Sequence, residues 1–164
     1  MLKGAKVMSI EKVREYFKTF GIENEILEFP VSSATVELAA KALNTESCRI
    51  AKTLSFSVNN SPVLIVTAGD VKIDNKKYKS FFGAKAKMLS FDEVEEKIGH
   101  AVGGVCPFAI NEGVKVFLDE SIKRFETVFP ACGSSNSAIE LTPDELEKYS
   151  SSFIEWIDVC KLPE

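Results

Sequence analysis

Apolar residues recur along this chain with two different periods, which together predict a mixture of helices and strands. Helical spacing and capping residues predict helices over residues 9–20, 36–43, 75–82 and 90–99, one that begins at 142–145, and a closing amphipathic helix around 153–157. Either Ser33 or Thr35 is placed to begin the second helix. Strands are predicted over residues 25–29, 50–58, 63–67, 114–118, 127–130 and 138–141, the second and third as a hairpin. We therefore expect a mixed α+β fold.

Lys52 occupies an unusual position in the predicted strand 50–58. The apolar side chains of this strand share one parity, which is also the parity of Lys52. They are Ile50, Leu54, Phe56 and Val58. A buried ammonium costs several kcal/mol unless it is paired or reaches a watered cavity, so an inward lysine is a candidate site residue. The alternative is that the strand twists near its start and the stem of Lys52 carries its charge to solvent.

The composition is typical of one soluble globular domain, which we expect to span residues 1–164. Hydrophobic residues make up 45% of the chain and charged residues 27%, enough to bury a core without disulfide bonds. No apolar run approaches the roughly 20 residues of a membrane span, and residues 1–10 lack the apolar centre of a secretory signal. We therefore expect a cytoplasmic protein with no membrane partner.

The cysteine and histidine content argues against a metal site and a disulfide framework. The cysteines at 48, 106, 132 and 160 form no Cys-x-x-Cys pair, and His100 is the only histidine. We therefore expect no metal and no cofactor. Cys106 and His100 are six residues apart beside a glycine pair, which leaves open a cysteine hydrolase in which Cys106 attacks and His100 is the base. Isolated residues of these types in a loop are more often structural.

Positive charge is concentrated between residues 72 and 87. This stretch has a charge of +5, while the rest of the chain carries −9. Its lysines are Lys72, Lys76, Lys77, Lys79, Lys85 and Lys87. On an acidic protein such a patch could hold a few phosphates and orient a nucleic acid, and the alternative is a solvated face of a lysine-rich helix. Our candidates for phosphate contact are Lys72, Lys76, Lys77 and Lys79.

Two glycine-containing loops could present backbone N–H groups to a ligand. The first, at 99–108, contains Gly103 and Gly104 ahead of a stiffening Pro107, and its N–H groups could stabilise an oxyanion. The second, at 133–137, combines a glycine with short polar side chains, which can form an anion-binding nest. Each loop taken alone is equally well explained as a structural turn.

Four motifs, in order, resemble the YbaK/prolyl-tRNA synthetase associated domain family. They are Lys52-Thr53-Leu54, Ala68-Gly69-Asp70, the Gly-Gly-Val-Cys-Pro-Phe stretch at 103–108, and Gly133-Ser134-Ser135-Asn136 ahead of 139–146. The resemblance covers residues 22–149. It implies a single compact domain with a strongly curved mixed β-sheet or barrel flanked by helices. It also implies hydrolytic editing, the removal of a wrong amino acid from the 3′ end of a tRNA, usually a proline tRNA.

The resemblance implies a role for each motif. Lys52 would bind and polarise the terminal nucleotide or the ester, and N–H groups near Gly103 and Gly104 would stabilise the oxyanion. The other implied substrate contacts are Phe29, Thr53, Val105, Cys106, Pro107, Gly133, Ser134, Ser135 and Asn136. Water or a group of the substrate would be the nucleophile, because an activated ester needs little beyond positioning and oxyanion stabilisation. The implied partners are the acceptor end of a mischarged tRNA and prolyl-tRNA synthetase.

Two departures from the family pattern bear on which amino acid is removed. Ala138 stands where cysteine-clearing members often have an acidic residue, and Phe29 lies where some members have tyrosine. The stretch 130–137 is more similar to stand-alone members that clear alanine, serine or 2-aminobutyrate, and cysteine stays among the candidates. The remaining alternative is a non-catalytic module that binds the tRNA acceptor end or the synthetase.

Overall fold

The computed structural model describes residues 9–163, so most of the segment in which we expect no secretory signal lies outside the described residues. The helices are α1 (Ser9–Lys18), α2 (Val36–Leu43), α3 (Asn75–Phe82), α4 (Phe91–Ile98) and α5 (Pro143–Tyr149). The strands are β1 (Leu27–Glu28), β2 (Ile50–Val58), β3 (Ser61–Ala68), β4 (Lys72–Ile73), β5 (Lys115–Asp119), β6 (Phe129–Pro130), β7 (Ser137–Ala138), β8 (Phe153–Ile157) and β9 (Cys160–Lys161). None of these helices combines the length and the apolar character needed to cross a membrane.

The centre of the fold is a five-stranded mixed sheet with the strand order β6-β2-β3-β5-β8, which curls into a half-barrel. The long strands β2 and β3 form the expected antiparallel hairpin, in which Lys52 lies opposite Thr67. Asn59 and Asn60 form its turn with φ angles of 51° and 65°, a left-handed conformation that matches the twist of the two strands. The other neighbours in the sheet pair in parallel, so the mixed architecture is confirmed.

The outer edge of β2 is covered at both ends and open between them. Within the described chain, β6 pairs with only the first two residues of β2. Further along, Ser57 N donates to Lys87 O at 2.8 Å, and Leu89 N donates to Ser55 O at 3.1 Å. Odd-numbered residues of β2 therefore direct their N–H and C=O groups to this edge, and those of Thr53 face the gap between the two covered stretches.

Side chains alternate between two cores on opposite faces of the sheet. On one face, Leu64 and Val66 of β3 pack with apolar residues of α1, α4 and α5. On the other face, Val63 and Ile65 pack with Tyr78 of α3, a side chain that is fully buried. Helices thus cover both faces of the sheet, each presenting an apolar stripe to it.

The predicted closing helix around 153–157 is wrong, because this segment forms strand β8. Its apolar residues fit helical spacing over only five positions, which is too short a stretch to distinguish a helix from a strand. Aromatic and β-branched residues favour a strand, and β5 offers a parallel partner, with Leu118 opposite Trp156. Pairing with the sheet therefore decides the conformation.

Local capping signals were reliable predictors of the remaining helices. The bounds of α2 and α3 are those predicted, and the capping boxes at the starts of α4 and α5 are both formed. Thr35, not Ser33, caps α2. The predicted strand 25–29 is shorter than expected, since a 3-10 turn at Glu23–Glu25 leads into β1. Strand β1 pairs with β7, which brings the segment before α2 beside the loop at 133–137.

Candidate functional site

A cavity of about 380 Å³ lies at the gap in the edge of β2. Side chains of both parities of β2 contribute to its wall, because the cavity wraps around the strand edge. The polar wall residues are Ser33, Thr35, Lys52, Thr53, Ser55 and Ser137, and many of the others are small, namely Ala34, Ala39, Ala51, Gly103, Ala131 and Ala138. No acidic residue, histidine or cysteine of residues 9–163 lines it. A mainly apolar space with a few polar groups is typical of a small-molecule site.

Lys52 lies in the cavity wall with its side chain half-buried. Its Nζ donates a hydrogen bond to the main-chain oxygen of Val71, just beyond β3. Burial lowers the pKa of Lys52 below that of a free lysine, although the carboxylates of Asp70 and Glu37 oppose the shift. An ammonium has three N–H donors, so the contact with Val71 leaves donors for a ligand. Lys52 is therefore a cation at the edge of an apolar space.

Thr53 and Ser55 line the cavity from the opposite parity of β2. The hydroxyl oxygen of Thr53 is buried and has no hydrogen-bond partner among the described residues. A buried polar atom without a partner costs about 1–3 kcal/mol, so a rotation of the Thr53 side chain that brought its hydroxyl to a ligand would recover that free energy. As the structure stands, Thr53 presents a backbone N–H from the strand edge.

The two glycines of the first loop occupy different environments. Gly103 lines the cavity with a φ of 97°, a conformation that glycine adopts without strain. Gly104 N donates to Ala101 O at 3.0 Å, so its N–H is already used in a turn, contrary to the predicted oxyanion contact. A Cβ on Gly104 would lie only 2.7 Å from Gly133 O, so its role is to let the two glycine loops approach closely.

The second glycine loop, at 133–137, lies beside the cavity and is hydrogen-bonded to the segment before α2. None of its candidate residues, Gly133, Ser134, Ser135 and Asn136, lines the wall, whereas the following Ser137 and Ala138 do. Ser134 Oγ lies 2.9 Å from Asn136 Oδ1 and 2.6 Å from Ser137 Oγ. Asn136 Nδ2 donates to Phe29 O at 2.9 Å, and Ser33 N donates to Ser135 O. These polar side chains hold the loop against the segment before α2.

Of the remaining substrate candidates, Val105 alone lies in the cavity wall. Phe29 packs its side chain against the apolar cluster around Ile50 and Phe129, so it supports the wall from behind. Cys106 and Pro107 are buried and do not reach the cavity, which leaves their side chains no access to a ligand there.

The Cys106 and His100 pair is buried in the core and is not arranged for catalysis. His100 Nε2 lies 2.7 Å from Phe108 O and 3.5 Å from Cys106 Sγ. Since a carbonyl only accepts, Nε2 carries the proton and cannot take one from the thiol. Burial raises the pKa of Cys106 to about 12 and lowers the pKa of His100. A neutral thiol beside a nitrogen that donates elsewhere argues against the cysteine hydrolase.

The basic patch lies on β4 and α3. Lys72, Lys76 and Lys79 are exposed, whereas Lys77 is engaged by Asp158 at 3.0 Å. Lys77 is therefore the weakest of the four candidates for phosphate contact. Lys72 is close enough to Lys52 for its charge to contribute to the lowered pKa of Lys52. The patch thus approaches the cavity on the side of Lys52.

Several wall residues have no direct signal in the sequence. Only the family resemblance indicates Thr53, and no pattern indicates Ser55, because polar residues of the outward parity normally face solvent. The pattern at 33–36 predicts only a helix start, although all four of these residues line the cavity. Lys161 lies opposite Lys72 between β9 and β4 and adds a cation outside the predicted patch. The signal that the sequence offers for Thr53 and Ser55 is that they are alternate polar residues on the strand that also contains the inward Lys52.

Comparison with known families gives a match to a family model described as the aminoacyl-tRNA editing domain, over residues 31–149. The matched range contains every residue of the cavity wall. The resemblance seen in the sequence is therefore confirmed for the part of the chain that forms the site.

Two of the three relatives reported next have names that concern proline tRNA or its editing, and the third, YwhH, is described as uncharacterized. The protein YwhH of Bacillus subtilis (strain 168) is 56% identical over 155 residues, 94% of this chain and 98% of that protein. A proline–tRNA ligase of Bacillus cereus (strain AH820) is 26% identical over 127 residues, which are 76% of this chain and 22% of the ligase. A crystal structure of a candidate trans-editing enzyme for prolyl-tRNA synthetase has a TM-score of 0.83 and 26% identity, covering 96% of this chain and 99% of that chain. The chain thus spans about a fifth of the ligase's length but nearly all of the other two.

Proposed function

The chain belongs to the aminoacyl-tRNA editing domain family, and from this premise we propose that it is a deacylase that hydrolyses the ester bond of a mischarged tRNA. The observation that carries the proposal is the cavity at the edge of β2, where Lys52 and the unpartnered hydroxyl of Thr53 meet a mainly apolar wall. We further propose that residues 1–164 act as one editing domain.

Lys52 would orient the 3′ end of the tRNA. Its free N–H donors can bind a phosphate oxygen of the terminal nucleotide or the carbonyl oxygen of the ester, and both become stronger acceptors in an apolar space. The exposed lysines Lys72, Lys76 and Lys79 would contact phosphates further from the ester. The tRNA would therefore enter along the basic side of the cavity.

The hydrolytic step needs no acid, base or thiol from the cavity wall. Water adds to the ester carbonyl, and the negative charge that develops on the carbonyl oxygen is stabilised by Lys52 and by N–H donors at the gap. The N–H groups of Thr53 and Gly103 are the candidates for the latter, since that of Gly104 is engaged. The bond between the carbonyl carbon and the ribose oxygen then breaks, the ribose oxygen takes the proton that the attacking water gives up, and the amino acid is released.

The size of the wall residues limits the amino acid that fits. Small residues such as Ala39, Ala51 and Ala131 leave room for a small side chain, and no carboxylate among residues 9–163 lines the wall to pair with a basic one. Alanine, serine, cysteine and 2-aminobutyrate are the candidates. A difference of one methylene is worth only about 1–3 kcal/mol in an apolar pocket, which is why a synthetase that activates small amino acids benefits from a second selection step.

A proline tRNA is the proposed carrier, because relatives of the chain include proline–tRNA ligases and a candidate trans-editing enzyme for prolyl-tRNA synthetase. Prolyl-tRNA synthetase is accordingly the proposed partner for delivery. A protein that edits in trans must bind a charged tRNA after its release, and the basic patch beside the cavity offers a surface for that encounter.

Release of labelled alanine, serine, cysteine, 2-aminobutyrate and proline from charged proline tRNA tests the proposal. Wild type should release one small amino acid, Lys52→Ala should lose this activity, and Lys115→Ala, which removes an exposed lysine on β5, should keep it. Cys106→Ala should also keep it. Loss in Cys106→Ala alone would restore the thiol mechanism, and binding of charged tRNA without any release would indicate a non-catalytic module.

A further inference from the structure

Three exposed apolar side chains surround the cavity on the side of α4. Phe91 is 75% exposed, Met88 is 55% exposed and Val102 is 49% exposed, and all three belong to the cavity wall. Phe91 is the first residue of α4. A phenyl ring that is both largely solvated and part of a cavity wall is available to a ligand, since its faces are not used by the protein.

Phe91 has no evident role in holding α4 in place. The helix begins with a capping box formed by Ser90 and Glu93. The apolar residues on either side of this cap, Leu89 and Val94, are buried in the main core. Phe91 itself belongs to none of the apolar clusters of the described residues. The capping box therefore fixes the backbone of Phe91, while the faces of its ring pack against no apolar cluster.

The charged groups around the cavity are unevenly placed. Lys52 is the one charged residue among the described residues of the wall, and Lys72 lies near it. Beside Phe91, the carboxylate of Glu93 is paired with Lys97 at 2.7 Å, and neither residue lines the wall. A ligand with an anionic group and a neutral aromatic group would therefore place the anion near Lys52 and the aromatic group near Phe91.

We propose that Phe91 is the surface on which the terminal nucleobase of the substrate stacks, with Met88 and Val102 bordering the base. This inference rests on the proposed function, because it assumes that a tRNA 3′ end occupies the cavity. The unpaired base at that end offers a flat, neutral face, and aromatic side chains are the usual platforms for unpaired bases. Phe91 then orients the ester relative to Lys52, so it acts as a positioning residue.

Substitutions of Phe91 that remove the aromatic ring but keep an apolar side chain test the proposal. Phe91→Leu and Phe91→Ala should raise the KM for charged tRNA by about 5- to 150-fold, the range expected for one lost stack, and Phe91→Trp should keep it within a few fold of wild type. Phe20→Leu is the matched control, since Phe20 is 38% exposed and lies outside both the cavity wall and the basic patch. A KM in Phe91→Leu equal to that of Phe20→Leu would overturn the proposal.

A binding experiment separates this inference from the proposed activity. The probes are an adenosine that carries alanine through a 3′ amide in place of the ester, and the same amide on a ribose without a base. The adenosine probe should bind wild type at least about fivefold more tightly than the abasic probe, and Phe91→Leu should remove that difference. Equal binding of the two probes to wild type would overturn the proposal even if the ester is hydrolysed. If wild type releases no amino acid, the proposed activity fails while this comparison still decides whether Phe91 binds a base.

Discussion

Replacing Gly104 with alanine should force apart the two glycine loops beside the cavity. The added Cβ would lie 2.7 Å from Gly133 C and O and 2.8 Å from Ser134 N. These are backbone atoms of a loop that is tied to Phe29 through Asn136, so they cannot move aside as a flexible side chain would. Overpacking of this kind costs about 1–3 kcal/mol, against a gain of about 0.4–1 kcal/mol from restricting the unfolded chain.

We therefore expect Gly104→Ala to lower the free energy of unfolding by about 1–2 kcal/mol, and the Tm by about 2–8 °C. Urea unfolding followed by circular dichroism measures the first quantity. Because Gly103 and Val105 of the same loop line the cavity, deacylation should fall as well, at a temperature where the variant is folded.

Gly21→Ala provides a control with a comparable loss of stability. Gly21 has a φ of 73°, and a Cβ added to it would have no other atom within 4 Å, so alanine there is strained by about 1–2 kcal/mol without a clash. It should lose stability and keep full activity. The reasoning is refuted if Gly104→Ala is as stable as wild type, or if it is destabilised and deacylates at the wild-type rate.

Two further predictions concern charge. Replacing Lys72 and Lys79 with glutamate should weaken tRNA binding and reduce the slope of log Kd against log salt concentration by about one unit per lost phosphate contact. Lys115→Glu, which changes an exposed lysine on β5, should alter neither quantity. An unaltered slope in the double variant would show that the patch is not part of the tRNA-binding surface. Because burial lowers the pKa of Lys52, its ammonium is lost at a lower pH than that of a free lysine. As the pH is raised, the KM for charged tRNA should therefore begin to increase at a pH lower than the ordinary lysine pKa of about 10.4. This increase should be absent in Lys52→Ala.

Elements with a local cause could be predicted from the sequence, and the segment 153–157, predicted as a helix but observed as a strand, lacked such a cause. The capping boxes of α4 and α5 and the turn at Asn59 and Asn60 each depend on residues a few positions apart. Strand β8 depends instead on the free edge of β5, which lies about 38 residues earlier in the chain, as the pairing of Leu118 with Trp156 shows. A five-residue apolar pattern carries no information about that partner.

The site was predictable to a smaller extent than the fold. The parity of Lys52 pointed to it because a charge among apolar positions has an energetic cost. Alternation cannot distinguish a polar residue that faces solvent from one that faces a cavity, so Ser55 gave no usable signal. Residues 33–36 reach the cavity through contacts of long sequence separation, such as the hydrogen bond from Ser33 to Ser135, and no local pattern encodes these.

The location of the cavity follows from how the edge of β2 is covered. An open strand edge invites pairing with other chains, and proteins usually cover it. Here β6 covers the start of the edge and ends at Pro130, which has no N–H to continue a ladder, while the segment before α4 covers the far end. Within residues 9–163, the uncovered backbone in between is that of Thr53, which lines the same cavity as Gly103 and Val105 of the first glycine loop and both residues of β7. An interruption in edge protection thus places the N–H of Thr53 and the Lys52 ammonium beside one small apolar space, where, under the proposed function, they would stabilise the negative charge that develops on the ester.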